Sequence, residues 1–149
     1  MKKIKVREAE GPVLDWLVAK CSPSKFGPPV VIPHQNSKGA TIYLSVGLYQ
    51  AGVPFRPTKE QACGGRILDE NGIGTLFRSR SVCRKTSDWF ATPDDQEASE
   101  SYEGEQFDPM FLVTESSGCY GPTRLVGGLR CFVISKLGEE VEVPEELLK

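Results

Sequence analysis

The chain has 149 residues, the size of about one domain, and 39% of them are hydrophobic, which suffices for one packed core. No run reaches the roughly 18 apolar residues that a membrane-spanning helix needs. The formal net charge of −2 (18 basic and 20 acidic residues), with no basic recognition helix, argues against a nucleic-acid-binding surface.

Met1-Lys2-Lys3-Ile4-Lys5-Val6-Arg7 is basic, but no apolar signal core follows, and Ile4–Val6 reads as a strand. Gly11-Pro12 opens a helix, Pro12 suiting a first turn, and Val13, Leu14, Leu17, Val18 and Cys21 recur on one face. Trp16 lies at the edge of that face, and Ser22-Pro23 ends the helix. Pro28, Pro29 and Pro33 argue against a central strand, and Asn36–Gly39 reads as a turn. Thr41–Val46 reads as a strand, with a helix running through Gln50 to Gly52 as the alternative, and Thr75–Ser79 and Trp89–Ala91 read as strands. Arg66–Asp69 reads as a short strand closed by the hairpin signal Asn71-Gly72, and Met110–Thr114 as a further strand.

The last helix is marked at both ends. Thr123 is its N-cap, Gly138 its C′ residue, and Lys136 places a cation in the last turn. Leu125, Leu129, Phe132, Val133 and Leu137 form its apolar stripe. Gly127-Gly128 costs helix propensity, at about 1 kcal/mol per glycine, and predicts a close approach: tight packing against the sheet, or a flat ligand or partner. Val141–Pro144 reads as an extended tail. These elements predict an α+β class with an antiparallel sheet and an N-terminal and a C-terminal helix packed on it.

Five cysteines (Cys21, Cys63, Cys83, Cys119 and Cys131) form no C-x-x-C pair, and His34 is the sole histidine. This predicts reduced, mostly core thiols, no metal site and a cytoplasmic setting. The segment from Asp94 to Asp108 holds seven acidic residues and no basic one. Removing those seven from the 20 acidic residues leaves 13 against 18 basic ones, a remainder of net charge +5. Such a block reads first as a solvated loop, and otherwise as an acidic finger toward a basic partner.

Three segments, covering about half the chain, resemble the small phage accessory proteins of the NinX type: Val6–Cys21 with Gly11-Pro12-Val13-Leu14-Asp15-Trp16; Phe55-Arg56-Pro57-Thr58 with Gly64-Gly65-Arg66; and Gly121-Pro122-Thr123 through Leu147. Arg124 stands where those proteins usually have proline, and Gly127-Gly128 replaces a small pair such as Ala-Ala. The resemblance implies one domain over residues 1–149 with insertions at 28–53 and 94–108, and a phage protein in the cytoplasm of an infected bacterium. It carries no assigned activity.

No hydrolase elbow, metalloprotease motif, Walker loop or dinucleotide fingerprint is present, so no catalytic residue and no cofactor are expected. A Cys63–His34 pair is the remaining nucleophile arrangement. The expected function is non-catalytic: binding a small nucleotide-type ligand and so countering a host antiviral signal. The expected ligand-binding residues are Phe55, Arg56, Thr58, Arg78, Arg80, Trp89, Thr123, Arg124 and Arg130, because guanidinium groups fork onto phosphates and rings stack on bases. The alternative is a module that binds and inhibits a host protein through the acidic loop. Neither reading needs a membrane, and both are compatible with a homo-oligomer.

Overall fold

A computed structural model describes residues 1–21, 28–44, 52–78, 88–92 and 119–149. In chain order the elements are β1 (Lys2–Lys5), α1 (Gly11–Cys21), β2 (Val30–Pro33), β3 (Ala40–Leu44), β4 (Val53–Pro54), α2 (Gln61–Glu70), β5 (Gly74–Arg78), β6 (Asp88–Thr92), β7 (Cys119–Gly121), α3 (Arg124–Leu137) and β8 (Glu140–Val143). Single 3-10 turns follow β1 at Val6–Glu8 and β8 at Glu145–Leu148. Among the described residues the strands form three separate ladders, not the one sheet expected: β1–β8, β2–β3–β4 and β5–β6–β7, every pair antiparallel. The mixed α+β class holds. The stretch read as an extended tail is β8, in register with β1 as Ile4↔Val141.

The centre of the molecule is α3. Thr123 Oγ1 accepts from Val126 N at 3.2 Å, the expected N-cap, and Gly138 leaves the helix at φ +89°. From Leu125 to Val133 every residue is buried, so the helix has no solvent face there. It packs against α1, α2 and all three strands of the β5–β6–β7 ladder. Leu129, Phe132 and Val133 meet Leu14, Leu17 and Val18 of α1 in one core, and each such fully buried side chain contributes roughly 1.5–3 kcal/mol. Trp16 belongs to that core, with Lys20 Nζ 5.3 Å from its ring centroid.

Residues 66–69 are a correction: they belong to the helix α2, not to a strand. Gly64, Ile67 and Leu68 share one face at i, i+3 and i+4, and Arg66 pairs with Glu70 one turn on, at 2.8 Å. The glycine pair weakens the helical signal but admits neighbours. Asn71-Gly72 is correspondingly a helix exit and not a hairpin turn. Gly72 has φ +63°, Ile73 N donates to Leu68 O at 3.0 Å and Gly72 N to Asp69 O at 3.4 Å. That is the Schellman arrangement, with Ile73 and Leu68 as its buried apolar contact. The proline-rich segment does form a strand, β2, but at the edge of its ladder, as its prolines require. The expected strand at 110–114 and the acidic block at 94–108 lie outside the described residues.

The glycines of α3 are filled by protein. Gly127 faces the backbone of Gly121 and the carbonyl of Trp89, and Gly128 faces the Leu68 side chain. Of the two accounts of that pair, tight packing is the one the structure shows. A methyl group on Gly121 would overlap the Gly127 backbone, and one on Gly64 would overlap the Pro57 carbonyl. A methyl group on Gly128 would press only on the Leu68 side chain, 2.5 Å from Cδ1. Urea denaturation should therefore rank Gly121→Ala and Gly64→Ala as costing roughly 2–3 kcal/mol each, by overpacking against main chain. Gly128→Ala should stay within about 1 kcal/mol, because the gain in helix propensity offsets the shift of Leu68.

Candidate functional site

A hollow of about 210 Å³ opens beside the start of α3, lined by Arg7, Tyr120, Gly121, Pro122 and Arg130. Arg7 is placed by the turn after β1. Val6 is fully buried, and its N–H donates to Glu139 O at 2.8 Å, which turns Arg7 toward the C-terminal end of α3. Arg7 Nη2 donates to Glu139 Oε1 at 3.0 Å, and Nη1 stands 3.9 Å from Cys119 Sγ. Arg130 comes from the middle of α3 and is 8% exposed. Its Nε donates to Ala9 O at 2.7 Å and its Nη1 to Tyr120 O at 2.9 Å. Those carbonyls replace part of the water that a buried guanidinium gives up. The Tyr120 ring rests on Phe90, its register partner, with centroids 4.9 Å apart.

The lining therefore carries two guanidinium groups, and that of Arg7 pairs with Glu139. The thiols nearby add no negative charge. Burial pushes Cys131 up to about 12. Burial also raises Cys119, against the pull of Arg7 and Arg130. Cys21, raised by burial to about 11, and Cys63, also raised by burial, stay protonated at neutral pH as well.

Of the expected residues, Arg130 lines this hollow. Thr123 caps α3 with its hydroxyl. Arg124 joins α3 to its neighbours, with Nε donating to Thr75 Oγ1 at 3.0 Å and Nη2 standing 3.7 Å from Asp69. The Phe55-Arg56-Pro57-Thr58 loop lies elsewhere, against α1 and α2: Phe55 packs on the core, Arg56 is exposed, and Pro57 and Thr58 are buried. Trp89 sits on β6 with its carbonyl against Gly127. The Arg78 side chain and all of Arg80 lie outside the described residues. His34 does not meet Cys63. Its Nε2 is 2.9 Å from Thr41 Oγ1 and its Nδ1 3.3 Å from Ser37 Oγ, in the β2–β3 loop, while Cys63 is on α2.

Sequence reasoning missed Arg7 and Asp15. Asp15 stands in the run Leu14-Asp15-Trp16-Leu17-Val18, and an acid inside an apolar run was its available signal. Only 4% exposed, it accepts from Thr58 N at 2.9 Å. Burial pushes its carboxyl up to about 6, while the Thr58 N–H, Lys59 and Arg56 pull it down. Thr58 Oγ1 is, among the described residues, the buried side-chain oxygen with no hydrogen-bond partner. Arg7 follows a buried valine on a turn, and no local pattern marks it.

Among the described residues no group of three or more His, Cys, Asp or Glu side chains comes together to hold a metal, and no helix is long and apolar enough to cross a membrane.

These placements have two measurable outcomes. Arg130→Met should strand the Ala9 and Tyr120 carbonyls and cost roughly 2–4 kcal/mol in denaturant titration. Arg130→Lys should recover only part of that, because an ammonium lacks the fork that reaches both. The second concerns pH. The folded protein keeps the Asp15 proton up to about pH 6, while the unfolded chain releases it near 4. The native state binds more protons in that window, so this group's contribution to stability falls as pH rises through it. Compared with Asp15→Asn, the natural protein should lose about 2 kcal/mol between pH 4 and pH 7, read as the difference of two stability curves.

No family model matches the chain, and no curated protein matches it either.

Proposed function

We propose that the protein is a non-catalytic binder of a small anionic ligand of nucleotide type, held by its phosphate at the Arg7–Arg130 hollow. The observation that carries this reading is the meeting of two guanidinium groups, distant in sequence, with an aromatic ring at one concavity. Guanidinium is permanently charged and matches phosphate with paired N–H donors, and ring faces stack on bases. Thiols kept protonated by burial offer no nucleophile there, which favours holding a ligand over transforming it.

The volume narrows the ligand class. At about 210 Å³ the hollow falls below the roughly 300–1,000 Å³ of sites that enclose a drug-sized molecule. It suits a phosphate with its adjoining sugar, leaving a base at the rim near Tyr120, better than a two-base cyclic dinucleotide. The further step, that holding such a ligand withdraws a host antiviral signal, rests on the resemblance to phage accessory proteins alone.

Calorimetry of the purified protein against adenosine 5′-monophosphate, cyclic AMP, pyrophosphate and cyclic ADP-ribose tests the reading. Binding of at least one phosphate compound is expected, and Arg7→Gln should weaken it roughly tenfold or more through loss of a charged hydrogen bond. Absence of heat with all four would end it.

A further inference from the structure

The Arg7–Glu139 pair bears on how the hollow would choose its ligand, given the phosphate-binding function proposed for it. We infer that Glu139 is an internal competitor: its carboxylate occupies Arg7 and yields when a ligand phosphate arrives, so that it sets the affinity of the hollow.

Three features of Glu139 support this. Its position is fixed by main chain, because its carbonyl accepts from Val6 N and the β8 ladder begins at the next residue. The side chain is not needed to hold the segment in place. That side chain is 60% exposed and Arg7's is 33% exposed, so the carboxylate can swing into water without leaving a buried polar group unmatched. An exposed ion pair of this kind is worth about 0–1 kcal/mol, little enough to be exchanged for another anion.

Its location also argues against a role in helix stability. Glu139 directly follows Gly138, the C′ residue of α3, where the carbonyl ends of the helix disfavour a negative charge. Its neighbour Glu140 differs. That carboxylate pairs across the ladder with Lys3 at 2.6 Å, and the Lys3 ammonium holds its carboxyl below the usual range. One glutamate serves the β1–β8 ladder, and the other faces the arginine of the hollow.

The exchange has a chemical consequence. An intramolecular carboxylate acts at an effective concentration that a dissolved carboxylate ligand does not reach. A terminal phosphate offers a second negative charge and three acceptor oxygens to the same guanidinium, and so can win the place. The competitor thus filters for phosphomonoesters against simple carboxylates.

The test is calorimetry of the full chain with adenosine 5′-monophosphate at low salt, comparing the natural protein, Glu139→Gln, Glu139→Ala, Arg7→Gln and the Arg7→Gln/Glu139→Gln double variant. Both Glu139 variants should bind roughly three- to fivefold more tightly, the range an exposed ion pair allows. Their melting temperatures should move by no more than about 3 °C. The gain should vanish in the double variant, because it acts through Arg7. If the natural protein binds and both Glu139 variants bind equally well or more weakly, Glu139 is no competitor and the inference is overturned while the phosphate site stands. If no protein in the set binds the nucleotide, the phosphate-binding reading fails and the inference falls with it.

Discussion

Arg130 is the constraint on which the arrangement depends. It sits in the Leu125–Val133 stretch of α3, where every residue is buried, and its guanidinium must find polar partners inside the protein or carry a desolvation cost of several kcal/mol. It finds them in Ala9, just before α1, and in Tyr120, on β7. One side chain thereby fixes the approach of the N-terminal helix, the strand that leads into α3, and α3 itself. A methionine of similar length would fill the volume and supply none of these bonds. The hollow lies beside that same guanidinium, lined by Arg130 and by Tyr120, whose carbonyl it holds.

The glycines serve the same packing. Gly121 and Gly127 let β7 lie against α3 at backbone distance, Gly128 receives Leu68, and Gly64 receives the Pro57 carbonyl. Further contacts tie α1, α2 and the start of α3 to one another: Asp15 accepts from the Thr58 amide, and Gly64 lies between Pro57 and Leu125.

Local chemistry made α3 legible. Thr123 and Gly138 mark its ends in the sequence, and both caps stand in the structure. Strands β3, β5 and β6 were legible from β-branched and aromatic runs, and β1 in part, since the reading of Ile4–Val6 overlaps it at Ile4 and Lys5. Helix α2 was hidden because Gly64-Gly65 depresses propensity at the point where tertiary contacts require it, and Asn71-Gly72 is the same dipeptide in a helix exit as in a hairpin. The division of the strands into three ladders depends on long-range pairing that no local pattern reports. Of the hollow, Arg130 was expected, as one of the arginines able to fork onto a phosphate. Arg7 was not, because its role comes from pairing with a residue 132 positions away. Thr123 and Arg124 had the right chemistry for a ligand and spend it within the protein, on a cap and on Thr75.

That separation has a consequence for biosynthesis. A ribosome delivers Arg7 well over a hundred residues before Glu139, a gap of 132 positions, and among the described residues β1 has no ladder partner until β8 is made. While that stretch is synthesised, the nascent chain holds a lysine-rich strand without its neighbour and an arginine without its glutamate. Closure is a late event, because the first strand can be stitched to the last only once residues 140–143 have left the ribosome.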